Sequence, residues 1–248
     1  TKPLWVDLKG RQLRVVAAAI PPFTEIQLSH KLRVRTPVDA YFSDGTERAR
    51  IAAVRDDRII LEDGPRRLIG PGESVNIIDP SLEIEGTLTA TDIAYLDAMK
   101  ERGLENVMLS YVESPADVAE VKKLLPGAEV LLKIENQRGL GFAEKHGAKH
   151  GSLIAARGDL FVEVLRPHKI AKALKKIIQA DPNAIAASRL FDSLAWSPIP
   201  ISADIGDAAF LMEIGYRRFM LGDQVCLKRD SVIEALNLLM ELDRDYLQ

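Results

Sequence analysis

The chain has 248 residues, 47% of them hydrophobic, 28% charged and 6% aromatic, with a formal net charge of -3; this excludes disorder, collagen and coiled coil and describes one or two folded domains. With 33 basic against 36 acidic residues and a pI near 5.9, no general positive field exists to hold nucleic acid or an anionic membrane. The single Cys226 cannot form an internal disulfide, no apolar run is long enough to span a bilayer and no signal-peptide pattern opens the chain, so a soluble cytoplasmic protein is expected.

The chain opens at Thr1 without a Met and enters a strand-like run, Pro3 to Asp7. Between about Arg14 and Glu85 the pattern changes to short alternating strands, at Leu32 to Phe42, Arg48 to Arg55 and Arg58 to Leu61, separated by turn signals. This block has no helix signal and is expected to be a compact all-β insert over residues 14–85, inside an α/β domain made of residues 1–13 and 86–248. Its Gly70-Pro71-Gly72 reads as a turn rather than a phosphate loop. After it, apolar runs alternate with helical periodicity: a strand at Asn106 to Val112, a helix capped by Ser114 with Pro115 at its first position and Asp117 three residues past the cap, and a strand at Val130 to Glu135. A helix follows from Asn136 to His146, then strands at Ser152 to Ala156, Ala184 to Ala187 and Arg217 to Leu221, with helices near Pro167 to Ala180, Ala203 to Ile214 and Ser231 to Leu247. Strand and helix alternating in this way mean parallel βαβ units, five such strands with Leu4 to Asp7 as a sixth. If these residues are the whole protein, the six strands must close in another way or dimerise, because an open parallel sheet leaves unpaired edges.

Catalytic groups of parallel barrels sit at the carboxyl ends of the strands. Lys133 and Glu135 lie two apart on one strand and so point to the same side; the plainer reading is that they pair with each other. Arg157-Gly158-Asp159 ends the next strand, with a glycine that admits close approach of a ligand and an aspartate suited to a hard cation, although such a run alone is usually a turn. Together, Glu135 and Asp159 offer two carboxylates for Mg²⁺ or Mn²⁺ with positions left for substrate oxygens and water. Other candidates are weaker. His146 and His150 stand at i, i+4, but Gly147 and Gly151 break the helix there, and a solvated helix end is expected. His30 and His168 read as surface residues, Trp196 as a pocket wall or, more commonly, packing under a loop, and Cys226 as a buried inert thiol.

Four motifs carry a resemblance. Lys133-Ile134-Glu135-Asn136, Ala156-Arg157-Gly158-Asp159-Leu160 with Glu163 following, Ala187-Ser188-Arg189-Leu190-Phe191-Asp192-Ser193-Leu194, and Asp7-Leu8-Lys9-Gly10-Arg11-Gln12-Leu13-Arg14 resemble, in order and spacing, successive signatures of the pyruvate kinase family. Asn106 to Asp117, Pro200 to Asp207 and Phe219-Met220-Leu221 resemble its later βα units. The resemblance implies a partial TIM-type (β/α) barrel, from the third strand onward, interrupted by a small all-β lid. It implies that Lys133 stabilises the enolate oxygen, that Glu135 and Asp159 hold Mg²⁺ or Mn²⁺, and that the backbone N–H groups of Gly158 and Asp159 with the Ser188 hydroxyl cradle the substrate carboxylate. Asp7 and Arg14 then stand near the monovalent-cation and phosphate site. The family's two N-terminal βα units and its C-terminal regulatory domain have no counterpart in this chain; Leu8 replaces a threonine ligand of K⁺, Gln12 a glutamate, Ser202 an arginine, and Gly222 and Gln224 a serine and a glutamate.

A pyruvate kinase-like enzyme acting on phosphoenolpyruvate or pyruvate is therefore expected, a homo-oligomer without nucleic-acid or membrane partners, with nucleotide and K⁺ binding in question. The alternatives are a metal-dependent aldolase or lyase on a 2-oxo acid, which shares the enolate, or a non-catalytic kinase-like binding protein.

Overall fold

The computed structural model describes residues 3–17, 25–164 and 166–246. The first strand, β1 (Val6–Leu8), leads into an antiparallel block: β2 (Glu25–Gln27), β3 (Leu32–Arg33), β4 (Val38–Phe42), β5 (Glu47–Arg55), β6 (Arg58–Asp63), β7 (Asn76–Ile77) and β8 (Glu83–Ile84). Five of these strands form one sheet in the order β2-β6-β5-β4-β7, and β3 pairs with β8. Strand alternation sets its core: Val38, Ala40 and Phe42 point inward while Asp39 and Tyr41 do not. With Ile26, Leu28, Ile51, Ile59 and Val75 they form an apolar cluster that also takes in Leu13 and Val15.

The remainder is βα alternation: α1 (Ala90–Arg102), β9 (Asn106–Leu109), α2 (Pro115–Leu124), β10 (Glu129–Ile134), α3 (Gln137–His146), β11 (Leu153–Ala156), α4 (Arg157–Glu163), α5 (Ile170–Ala180), β12 (Ile185–Ala187), α6 (Ser202–Glu213), β13 (Arg218–Met220), α7 (Asp223–Cys226) and α8 (Arg229–Tyr246). All six strands are parallel, in the order β1-β9-β10-β11-β12-β13. Among the described residues β1 and β13 end this order without pairing to each other, so the sheet is open and the barrel expectation is met only as a parallel α/β layer. No helix among them is long and apolar enough to cross a membrane.

Three helices, α1, α4 and the four-residue α7, are not among the elements expected from sequence. The first, α1, carries its own start signal: Thr89 Oγ1 accepts from Asp92 N–H at 3.1 Å and Asp92 Oδ2 accepts from Thr89 N–H at 2.9 Å; at α2 the Asp117 carboxylate likewise accepts the Ser114 N–H at 2.9 Å. Buried Asp92 also accepts the N–H groups of Lys9 at 2.8 Å and Gly10 at 3.2 Å. It thereby ties the loop after β1 to α1. Gly10 lies at φ +51°, where a side chain would meet Ser110 O at 2.5 Å. The second, α4, begins where a plain turn was the alternative.

Three single-residue expectations fail. His30 is buried, with Nδ1 2.9 Å from Ser29 Oγ, and burial pulls its pKa below the usual value; it faces Thr87, Asp92 and Arg11 beside the start of α1. Cys226 is exposed, since α7 turns it away from the core that holds Val225. Trp196 is 72% exposed and covered by no loop. His168 is exposed as expected. His146 ends α3 and stacks with His150 and Phe142, its ring centroid 5.0 Å from that of Phe142 and 5.5 Å from that of His150.

Candidate active site

The period of two along each parallel strand divides the sheet. Val6, Leu8, Val107, Leu109, Val130, Leu132 and Ile134 point toward the helices and join the large core cluster. Their alternates, Leu131, Ile154, Ala156, Ile185 and Ala187 with Trp5, Met108 and Met220, form a smaller cluster on the opposite face. Asp7, Ser110, Lys133 and Glu135 continue that face at the carboxyl ends of β1, β9 and β10. Register places Asp7 level with Met108 and Leu131, one pleat below Ser110 and Lys133.

There Lys133 Nζ lies 3.2 Å from Asp7 Oδ1, 2.9 Å from Ser110 Oγ and 3.3 Å from Glu135 Oε1. Burial works against its charge, but Glu135 and Asp7 outweigh burial and raise its pKa, so the ammonium is charged at neutral pH. Asp7 is half-buried, and although that desolvation works against its charge, Lys133 and Lys9 hold its pKa below the usual value. Lys9 Nζ sits 2.7 Å from its other oxygen. Each Asp7 oxygen thus faces an ammonium, and Leu8 faces the core.

Glu135 is 2% exposed and its Oε2 accepts the Tyr111 N–H at 2.7 Å. Burial, with Asp159 and Asp7 adding to it against Lys133, pushes its pKa up to about 7. Tyr111 stands at φ +52°, a conformation uncommon outside glycine. Its hydroxyl accepts from Asn76 Nδ2 at 2.8 Å, and the same amide reaches Glu163 Oε1 at 2.9 Å and Asp159 Oδ1 at 3.2 Å. The other Asp159 oxygen accepts from Gln12 Nε2 at 3.0 Å. Glu163, buried near Asp159, Glu113 and Glu135, is pushed up to about 8, with the Asn76 hydrogen bond opposing.

Glu135 and Asp159 are thus hard oxygen donors in a group of acids whose charge is under-compensated, and they fit a divalent cation. No set of three or more His, Cys, Asp or Glu in ligating arrangement exists among the described residues. Two carboxylates would leave the remaining positions to oxygens from water or substrate.

On the far side of Asp159, the helix α4 starts at the strand end. No atom lies within 4 Å of the position a Gly158 side chain would take, which leaves the backbone approachable. Arg157 is buried and spans to the next strand end. Its Nε donates to Ser188 O at 2.9 Å, and Nη1 lies 2.8 and 2.7 Å from the two oxygens of Asp207. The loop it holds carries Ser188, Arg189 and Phe191, all at positive φ. Gly222 packs against the Ser188 backbone. Arg14 does not touch Asp159; its Nε donates to Gln12 Oε1 at 3.0 Å and it reaches the site through that amide.

The sequence reading picked out Lys133, Glu135, Asp159, Gly158, Ser188, Asp7 and Arg14. It did not assign roles to Ser110, Tyr111, Asn76, Arg157 or Asp207. For Arg157 a signal existed, an arginine directly ahead of the Gly-Asp pair at a strand end; for Asn76 none did, because its neighbours lie 83 and 87 residues away.

A parallel sheet with its polar groups gathered at the strand carboxyl ends, entered by an antiparallel insert between its first strand and the rest, defines the class as a parallel α/β protein with its candidate site at the strand ends. The family model for the pyruvate kinase barrel domain matches residues 24–224, and the chain belongs to the pyruvate kinase family. It is 30% identical over 227 residues to a pyruvate kinase of Agrobacterium vitis, covering 88% of this chain and 47% of the relative. It is 28% identical over 264 residues to that of Methanocaldococcus jannaschii, covering 94% and 56%. The crystal structure of pyruvate kinase from Pyrobaculum aerophilum superposes with a TM-score of 0.77 at 20% identity, over 96% of this chain and 60% of that one. The chain spans about half the length of the curated relatives it matches.

Proposed function

We propose that this chain binds phosphoenolpyruvate or pyruvate at the carboxyl ends of its parallel strands and stabilises the enolate that links them, the chemistry of a pyruvate kinase-type phosphotransferase. The observation that carries the reading is the Lys133 ammonium, held between Asp7, Ser110 and Glu135 at the strand ends. An ammonium fixed in this way is aimed before reaction at the oxygen on which charge develops, so it need not reorganise during it.

Glu135 and Asp159 would hold Mg²⁺ or Mn²⁺, which supplies Lewis-acid stabilisation of negative charge when bound. The first-turn N–H groups of Gly158 and Asp159, which have no intrahelical acceptor, and the Ser188 hydroxyl receive the substrate carboxylate. Arg157 fixes the Ser188 carbonyl and so the loop carrying that hydroxyl. Arg14 serves the phosphate side. Residues 14–85 act as a lid on a barrel domain of residues 1–13 and 86–248, a reading supported by Asn76 of the insert reaching Asp159.

The test is exchange of pyruvate methyl protons with D₂O, followed by proton NMR. Mn²⁺-dependent exchange above the protein-free rate, abolished by EDTA, is the expected result; no exchange by folded protein with Mn²⁺ present overturns the proposal.

A further inference from the structure

We propose that Gln12 and Asn76 are positioning residues that set the Asp159 carboxylate, one amide on each oxygen, and make divalent-cation binding depend on both passages of the chain between sheet and insert. The proposal rests on reading Glu135 and Asp159 as cation ligands.

Gln12 lies on the outgoing passage, between β1 and the insert, and Asn76 lies in β7 on the returning one. Neither is close to Asp159 in sequence, at separations of 147 and 83 residues. Both are buried, at 7% and 2% exposure, so each amide is committed to the partners it has. The amide orientation of Gln12 is dictated: Oε1 accepts Arg14 Nε at 3.0 Å and Nη2 at 2.5 Å, and only the NH₂ end can face a carboxylate at 3.0 Å. Asn76 presents its NH₂ end to the carboxylate in the same way. Its NH₂ faces Tyr111 Oη, Asp159 Oδ1 and Glu163 Oε1, while Oδ1 is buried with no hydrogen-bond partner. Turning the amide over would set its oxygen against the Asp159 carboxylate.

Each carboxylate oxygen offers about two lone-pair directions. One amide N–H per oxygen therefore orients Asp159 and leaves a direction on each oxygen for a cation. Both donors are neutral, so they restrain the carboxylate without cancelling the negative charge that attracts the cation. Hydrogen-bonded partners of metal ligands typically matter by about 10- to 100-fold in affinity.

The experiment is calorimetric titration of Mn²⁺ into the full chain, with the Mn²⁺ resonance recorded by EPR and the thermal midpoint by circular dichroism. Wild type is compared with Gln12→Met, Asn76→Leu, Asn76→Ser and Asp159→Asn. Gln12→Met and at least one folded Asn76 variant should bind Mn²⁺ about 10- to 100-fold more weakly, with an altered resonance. A merely structural role lowers the midpoint and leaves affinity and resonance unchanged, which overturns the proposal; if both Asn76 variants fail to fold, Gln12→Met alone decides between the two outcomes. Unchanged affinity in Asp159→Asn sinks the cation-site reading itself. Weakening there, with Gln12→Met at wild-type affinity, sinks only the positioning role.

Discussion

The two faces of the parallel sheet are built from the same strands and do different work. Toward the helices, Leu8, Val107, Leu109, Val130, Leu132 and Ile134 belong to a core of aliphatic groups from every surrounding helix. On the other face, apolar packing is thin, and it gives way at the strand ends to Asp7, Ser110, Lys133 and Glu135. Adjacent residues of β10 therefore serve opposite ends, Leu132 packing and Lys133 charge. Buried ions contribute little net stability once desolvation is counted, so the face that carries chemistry is held by the face that does not.

Substitutions can break or sharpen that division. The largest effect is expected for Leu132→Ala, which removes a fully buried side chain and should cost about 2 to 5 kcal/mol in urea unfolding; a loss under about 1 kcal/mol would mean the helix side is not the stabilising face. Next comes Arg157→Leu. It strands the Ser188 carbonyl and Asp207, for an expected cost of about 1 to 3 kcal/mol, and should weaken pyruvate binding because the Ser188 loop loses its hold. Unchanged pyruvate affinity in the folded variant would separate that loop from the site.

Smaller again is the pH effect of Glu163. Its pKa of about 8 in the folded protein stands above the unfolded value of 4.5, so the folded state keeps a proton that the unfolded chain has released. Stability from this group is full below about pH 4.5 and falls as pH rises to about 8, by at most about 1.4 kcal/mol per pH unit. In EDTA, Glu163→Gln should flatten the decline of stability between pH 5 and 8; a slope equal to wild type refutes the raised pKa. The smallest effect is expected at Trp196, 72% exposed, where Trp196→Ser should change stability by no more than about 0.5 kcal/mol.

Much of this division was legible in the sequence because it follows from local rules. Strand alternation alone put Lys133 and Glu135 on one side, and Ser114-Pro115 with Asp117 announced α2. The same kind of signal at Thr89 and Asp92 was present and unread. What local rules do not reach is which distant group closes a contact. Asn76 meets Asp159 only because β7 brings the insert back over the strand ends, and His30 is buried where it meets Thr87, Asp92 and Arg11, all distant from it in sequence. Cys226 and Trp196 lie outside the core for a related reason: a short helix and a loop at the sheet's end turn them outward, and composition carries no trace of that. The openness of the sheet is likewise a matter of which strands pair, not of any one strand's pattern.

The most direct test sets the two neighbours side by side. Pyruvate methyl exchange with Mn²⁺ is measured per folded molecule in Lys133→Met and Leu132→Ala. The account predicts that Lys133→Met still folds, at a lowered unfolding midpoint because Glu135 and Asp7 lose their ammonium, and loses exchange per folded molecule by a factor of about 10² or more, while Leu132→Ala loses stability and keeps exchange within a few-fold. Undiminished exchange in folded Lys133→Met would contradict it and leave the lysine a structural partner of Glu135.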